Sequence, residues 1–254
     1  MMRIDLNSDL GESFGPWAMG DDPAMLDIVT SANVAAGGHA SDPETMFRTL
    51  GLAAARGVVV GAHPGYPDRE GFGRRVIPMP PAEIGRMVAA QVGALSALAQ
   101  MAGTAVRYVK PHGALGNLAA ADAEVARAIA AAVGQLSPRL ALLAISGTAL
   151  EHAARAAGVE VFSEIFADRA YLADGQLVPR SRPGAVLHDP DAIADRLVRF
   201  LEHREMPVLD GGTVRLDAHS ICVHGDTPGA VAIARAVRDR LTGAGVTLAP
   251  FLTA

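Results

Sequence analysis

Several things are scarce in this chain of 254 residues, and each scarcity closes a route. There is one cysteine, Cys222, so no disulfide can form within the chain, which fits a reducing compartment. Lysine is rarer still in relative terms: all but one of the 22 basic residues are Arg, and the exception is Lys110. A chain that otherwise prefers Arg keeps Lys where a compact ammonium is needed. Basic residues are outnumbered by 27 acidic ones, for a net charge of −5, which argues against a nucleic-acid or membrane-surface binder. The amino terminus, Met1-Met2-Arg3-Ile4-Asp5, lacks the apolar stretch of a secretory signal, so a cytoplasmic location is expected. The uncharged run from Met87 to Val106 is Ala-rich and interrupted by Gln91, Gly93, Ser96, Gln100 and Gly103, so it reads as a buried helix, not a membrane span. No Walker A loop exists, because the only Lys precedes Pro111; G-x-G-x-x-G and G-x-S-x-G are also absent.

Half the residues are hydrophobic and 19% are charged, enough apolar content for a full core. Short apolar runs alternate with Ala-rich helical patterns. Strands are expected at Arg3–Asn7, Asn33–Gly37, Val58–Ala62, Val106–Lys110, Leu140–Ile145, Val159–Phe162 and Ser220–Val223. Helices are expected at Pro23–Ser31, Pro43–Arg56, Pro81–Met101, Ala123–Gln135, Thr148–Ala157, Pro190–His203 and Pro228–Thr242, with Pro entering and Gly closing several of them. Such alternation predicts an α/β fold with a parallel sheet, open or closed, in a single domain over residues 1–254. A small hairpin is expected around Asp210-Gly211-Gly212.

Polar residues gather at the carboxyl ends of these strands, the side on which parallel α/β folds carry their sites. The first strand runs into Asn7, Asp9 and Glu12, the second into His39, the third into His63, the fourth into Lys110 and His112, and the last into His224 and Asp226. Four histidines at equivalent exits, with carboxylates beside them, mark a site. His152, His203 and His219 fall on helices or at the opposite end and read as structural, and Cys222 reads as core. Two chemistries fit the cluster. Imidazoles with a carboxylate can hold a divalent metal that activates water, the candidates being Asp9, His39, His63 and His112. Without metal, Asp or His acts as general base while Lys110 stabilises developing negative charge. The segment from Ser163 to Arg182 adds Glu164, Asp168, Arg169 and Arg180, whose guanidinium forks suit a carboxylate or phosphate. Residues 68–75, with Gly71 and Gly73, read as a lid or a charged turn.

Seven segments, Ile4–Glu12, Ala32–His39, Gly61–Asp68, Lys110–Leu115, Phe166–Tyr171, Val178–Arg180 and Val223–Asp226, together resemble the LamB/YcsF family, associated with the A component of 5-oxoprolinase. The resemblance implies a distorted (β/α) barrel, seven-stranded, like that of the glycoside hydrolase/deacetylase superfamily. It implies ATP-dependent opening of the 5-oxoproline (pyroglutamate) lactam to L-glutamate, with partner subunits B and C and an ATP site shared with or carried by a partner. It assigns Asp9, Glu12, His39, His63, Lys110 and His112 to catalysis. Asn7, Asn33, Glu164, Asp168, Arg169, Arg180, His224 and Asp226 would contact a small carboxylated lactam, and a homo-oligomer is compatible with it. The chain has Ala36 where the family usually has Cys, and Gly116 where it usually has Tyr, a change that widens the pocket. The alternative reading is a stand-alone metal-dependent amidohydrolase or deacetylase, and a third is a module that only binds a carboxylated ligand.

Overall fold

The computed structural model describes residues 2–225 and 229–252. The chain begins with β1 (Arg3–Leu10), α1 (Asp22–Leu26), β2 (Ser31–Ala35), α2 (Pro43–Arg56), β3 (Val59–His63), α3 (Pro81–Met101) and β4 (Val106–Val109). It continues through α4 (Gly113–Ala121), α5 (Ala123–Gly134), β5 (Ala141–Ile145), α6 (Ala149–Ala156) and β6 (Val161–Phe166). Then come α7 (Pro190–His203), a hairpin of β7 (Glu205–Pro207) and β8 (Thr213–Arg215), and finally β9 (Ser220–Cys222), α8 (Ala230–Gly243) and β10 (Thr247–Leu248). Strands β1 to β6 pair in sequence, all parallel; β9 pairs with β6 and β1, and so closes a seven-stranded barrel. The short β10 extends the amino end of β1, pairing Arg3 with Thr247.

Seven strands and seven helices stand where the sequence places them, with adjusted bounds. Strand β2 starts two residues early and ends before Gly37, because Ser31 pairs with Asn7 and Gly37 takes φ +88°, outside the strand region. That pairing also cuts α1 short at Leu26. Helix α4 and strand β10 are additions to the sequence expectations; α4 opens with two glycines in four residues and shows no clear apolar period. Expected Pro228 and candidate Asp226 lie outside the described residues.

Helix boundaries follow capping chemistry. Asp42, Asp122 and Asp189 accept backbone N–H groups at the starts of α2, α5 and α7, and Gly57 closes α2 in the left-handed region at φ +64°. The helices pack a large apolar layer on the outside of the barrel, including Ile4, Leu6 and Leu10 of β1. The other face of β1 carries Asp5, Asn7 and Asp9, because successive side chains in a strand point to opposite faces. Inside the barrel the amino end is plugged by Val59, Tyr108, Ala141 and Leu143, with Phe162 and Phe251 against them. Gly61 makes room for this plug: a Cβ there would lie 2.2 Å from the Tyr108 ring.

Asp5 is the innermost member of the polar face. Thr30 and Ser31 donate to its Oδ1 at 2.6 Å each, and the Ser220 hydroxyl donates to Oδ2. Burial still dominates and pushes its carboxyl up to about 6. Because the folded value exceeds the unfolded one, the carboxyl is neutral in both states at low pH. Stability is then lost as pH rises through about 6. The stability of wild type minus that of Asp5→Asn should fall by about 2 kcal/mol between pH 4 and 7 in denaturant titrations. A pH-independent difference would contradict the buried, neutral carboxyl.

Candidate active site

Each barrel strand delivers its last residues to one mouth. Gly11, at φ +69°, turns the chain after β1 and brings Glu12 over the barrel. Gly38 lets the exit of β2 lie against that of β3, since a Cβ there would stand 2.4 Å from the Gly65 carbonyl oxygen. His39, His63 and His112 thereby meet: His39 and His112 stack with centroids 3.6 Å apart, and His63 is edge-on to both. The 68–75 segment forms a wall here. Phe72 packs edge-on to His39 and His112, and a Cβ on Gly73 would lie 2.6 Å from that of His39. Asp68 is ion-paired with Arg75 within the same turn.

Lys110 lies at the centre, 3% exposed. Its Nζ is 3.0 Å from Asp9 Oδ1, 3.0 Å from Glu164 Oε2, 3.3 Å from Asn7 Oδ1 and 3.1 Å from Cys222 Sγ. Burial works against the ammonium, but the Asp9 carboxylate, with Glu164 beyond it, holds Lys110 charged well above its ordinary range. Burial likewise opposes ionised Asp9, yet His63 and Lys110 hold it well below the carboxylate range. Glu164 moves the other way: its burial outweighs Lys110, and its carboxyl is raised.

Asn7 and Asn33 stand behind this charge cluster. Asn33 Nδ2 donates to Asn7 Oδ1 at 2.7 Å and to Asp9 Oδ1 at 2.8 Å, while its own Oδ1 accepts from the Tyr108 hydroxyl at 2.6 Å. Asn7 Nδ2 donates to Ser220. These amides are therefore bonded to protein groups and fix where Asp9 points. Asp5, Tyr108 and Ser220 complete the network and are not among the sequence candidates; the period-two run Asp5, Asn7, Asp9 is the signal that points to them.

The histidine protons can be assigned from their carbonyl partners. His63 Nδ1 lies 2.7 Å from the Lys110 carbonyl oxygen, and His112 Nε2 lies 2.8 Å from that of Phe72. A carbonyl only accepts, so both of these nitrogens carry the proton. With both imidazoles neutral, His63 Nε2 and His112 Nδ1 would face each other as lone pairs 3.0 Å apart. Two opposed lone pairs at that distance require a cation or a shared proton between or beside them. Burial pushes His112 and His39 well below their ordinary range, which disfavours the proton. One donor atom from each of Glu12, His39, His63 and His112 lies within 4.8 Å of the others, so this set fits a divalent cation. The carboxylate of the set is Glu12, 3.1 Å from His39 Nε2, and not Asp9, which lies 3.4 Å from His63 and belongs to Lys110.

Asp168 and His224 form a second pair, with His224 Nδ1 2.7 Å from Asp168 Oδ1. Asp9, Glu12, His63, Lys110, His112, Glu164 and His224 all line one cavity of about 530 Å³. Arg169 and Arg180 line it too, as do the apolar side chains of Leu143, Ile145 and Phe166. His219 lies away from it and accepts from the Ser163 backbone N–H.

The closed seven-stranded parallel barrel thus carries its polar cavity at the carboxyl ends of its strands, the end at which parallel α/β barrels hold their active sites. The LamB/YcsF family profile matches residues 4–254, and the chain belongs to that family. It is 55% identical over 251 residues to the 5-oxoprolinase A chain of Nocardia farcinica, covering 99% of this chain and all of that one. It is 52% identical over 254 residues to the protein of the same name from Nitrobacter hamburgensis, covering both chains fully. Among solved structures, the lactam utilization protein from Thermus thermophilus superposes with a TM-score of 0.92 at 46% identity, over 98% of this chain and 99% of that one. A deacetylase solved with substrate shares the fold at a TM-score of 0.51 and 14% identity, over 98% of this chain and 88% of that one.

Lys110→Met should destabilise the chain by about 3–5 kcal/mol, since it leaves Asp9 and Glu164 buried without their counter-charge. The loss should shrink as the pH is lowered, because Glu164, whose carboxyl burial already raises, takes up a proton more readily once Lys110 is gone. Denaturant titrations at pH 5 and 8 check both points; an equal loss at the two values would contradict the ion-pair account.

Proposed function

We propose that this chain is the ring-opening subunit of an ATP-dependent 5-oxoprolinase, hydrolysing the 5-oxoproline lactam to L-glutamate together with subunits B and C. One observation carries the reading. Beside a caged ammonium and an Asp–His pair, the His63 and His112 imidazoles meet nitrogen to nitrogen at the mouth of a barrel. That barrel's full-length relatives bear the 5-oxoprolinase name. Those relatives are named as one lettered component of the enzyme, which implies companion subunits. No helix of the described residues is long and apolar enough to cross a membrane. The enzyme proposed is cytoplasmic and acts through one barrel domain.

The residues divide the work by their geometry. A lactam carbonyl is stabilised by amide resonance, so water needs a base and the carbonyl oxygen needs positive charge. The Glu12, His39, His63 and His112 set is the place for water activation, with Asp9 next to His63. When a divalent cation is bound there, it supplies Lewis-acid polarisation and lowers the pKa of water. Lys110 Nζ, fixed as an ammonium on the cavity floor, stabilises negative charge on the carbonyl oxygen. When the ring C–N bond breaks, the nitrogen must gain a proton to leave as the amino group. His224, oriented by Asp168 through Nδ1, presents its imidazole to the cavity for that transfer. Arg169 and Arg180 supply positive charge for the substrate carboxylate. ATP activates the lactam from a site shared with or carried by a partner, since no phosphate-binding Gly-Lys loop exists in this sequence.

A second reading, a stand-alone metal-dependent amidohydrolase, is favoured by the same four-residue set and by the deacetylase-like barrel. Glutamate release from 5-oxoproline separates the two. The first reading expects turnover only with ATP and both partners, and a fall of about 10²-fold or more in His112→Ala and His224→Ala. ATP-independent turnover by the chain alone, abolished by a chelator, would establish the second instead. Purified chain should take up about one equivalent of zinc or manganese, measured by calorimetry, and His63→Ala should abolish uptake. Unchanged uptake in that variant would remove the cation from both readings.

A further inference from the structure

Ala120 of α4, Ile145 at the end of β5, Phe166 at the end of β6 and Leu177 on the segment between β6 and α7 pack together, and all four line the cavity. These side chains offer a ligand carbon and no hydrogen-bonding group. Polar neighbours on the same lining are turned onto backbone: the Thr148 hydroxyl donates to the Ile145 carbonyl oxygen at 2.7 Å, and Gln176 Nε2 donates to that of Ala120 at 3.4 Å. Phe166 joins this wall to the reacting groups. Its ring centroid lies 5.2 Å from Lys110 Nζ, and its ring is stacked on that of His224, with centroids 5.4 Å apart and 25° between the planes. Cys222 belongs to the same cluster and touches Lys110 Nζ at 3.1 Å. A lactam whose carbonyl oxygen meets Lys110 and whose ring nitrogen meets His224 therefore has its carbon skeleton set against Phe166.

5-Oxoproline leaves much of this wall uncovered. Its carbonyl, ring nitrogen and carboxylate are met by the polar groups assigned above, and its apolar part is confined to the ring carbons. A cavity of about 530 Å³ lies in the range that encloses drug-sized ligands, which are far larger than a five-membered lactam acid. Apolar wall left against water adds nothing to affinity, whereas each further methylene buried on it strengthens binding by about fourfold. We infer that Ala120, Ile145, Phe166 and Leu177 form an apolar subsite, so that this chain binds lactam acids with a larger carbon skeleton than that of 5-oxoproline, the six-membered homologue first among them. The orientation of the ring rests on the function proposed above; the apolar wall does not.

The probe is 6-oxopipecolate, the six-membered homologue, titrated into the purified full chain by calorimetry beside 5-oxoproline itself. The larger acid should bind more tightly, by about fourfold for its extra methylene. Ala120→Leu fills the subsite and should lower the affinity ratio of the larger acid over the smaller by about tenfold. Leu177→Ala, at a half-buried position, strips the wall without crowding it, so the advantage of the larger acid should disappear. Equal or weaker binding of 6-oxopipecolate by the unaltered chain would overturn the inference, because the cavity would then gain nothing from added carbon. So would an affinity ratio unchanged in both variants. Glutamate release from 5-oxoproline, measured in parallel with ATP and both partners, separates the subsite from the lactamase reading. No glutamate release, alongside tight 6-oxopipecolate binding that depends on Ala120 and Leu177, would reject 5-oxoproline as the substrate and keep the subsite. Binding of neither acid would reject both.

Discussion

The ammonium of Lys110, held 3.0 Å from both Asp9 and Glu164 inside the barrel, is the interaction on which the rest of this site depends. Barrel interiors are commonly filled with branched apolar side chains. Here the carboxyl half of the interior is charged instead, and a buried charge is tolerable only when paired and hydrogen-bonded. Lys110 lets Asp9 stay ionised, Asp9 keeps Lys110 protonated, and Asn33 and Asn7 fill the remaining bonding positions. The Tyr108 hydroxyl ties this layer to the apolar plug below, which exists because Gly61 has no side chain. Charge and packing are thus one unit along β1 and β4.

Above that layer the histidines acquire their chemistry from backbone carbonyls. The carbonyl oxygen of Lys110 fixes the His63 proton on Nδ1, and the one of Phe72 fixes the His112 proton on Nε2. The same strand exit therefore supplies the caged ammonium and sets the tautomer of its neighbour. From floor to mouth the cavity changes character. Its base carries carboxylates against a single ammonium, and its rim carries arginines. Such a gradient suits a substrate whose anionic parts stay outward while its reacting carbonyl reaches inward.

Much of this is legible in the sequence. Strong apolar runs locate all seven barrel strands, and the polar residues just after them locate His39, His63, His112 and His224. What periodicity cannot supply is the choice between carboxylates. Asp9 and Glu12 are three residues apart, and only the left-handed turn at Gly11 decides that Glu12 joins the histidines while Asp9 joins Lys110. Helix α4 escapes the pattern because Gly113 and Gly116 weaken its propensity, and tertiary contacts override that weakness: the Ala114 N–H donates to the Gly73 carbonyl oxygen. Tyr108 falls within an expected strand; it is core, and its hydroxyl also belongs to the polar network. Arg74 does not stand out in the sequence because its segment reads as a charged turn, and only folding sets it against the cavity.

Lys110 is the only lysine of the chain, so labelling lysine with nitrogen-15 gives a single Nζ signal to follow. A pH titration of that signal tests directly whether the ammonium is locked between Asp9 and Glu164. The account predicts an ammonium resonance that stays unshifted through about pH 10, with proton exchange slowed by burial. A signal that titrates below its ordinary range, or exchanges as fast as free lysine, would contradict it.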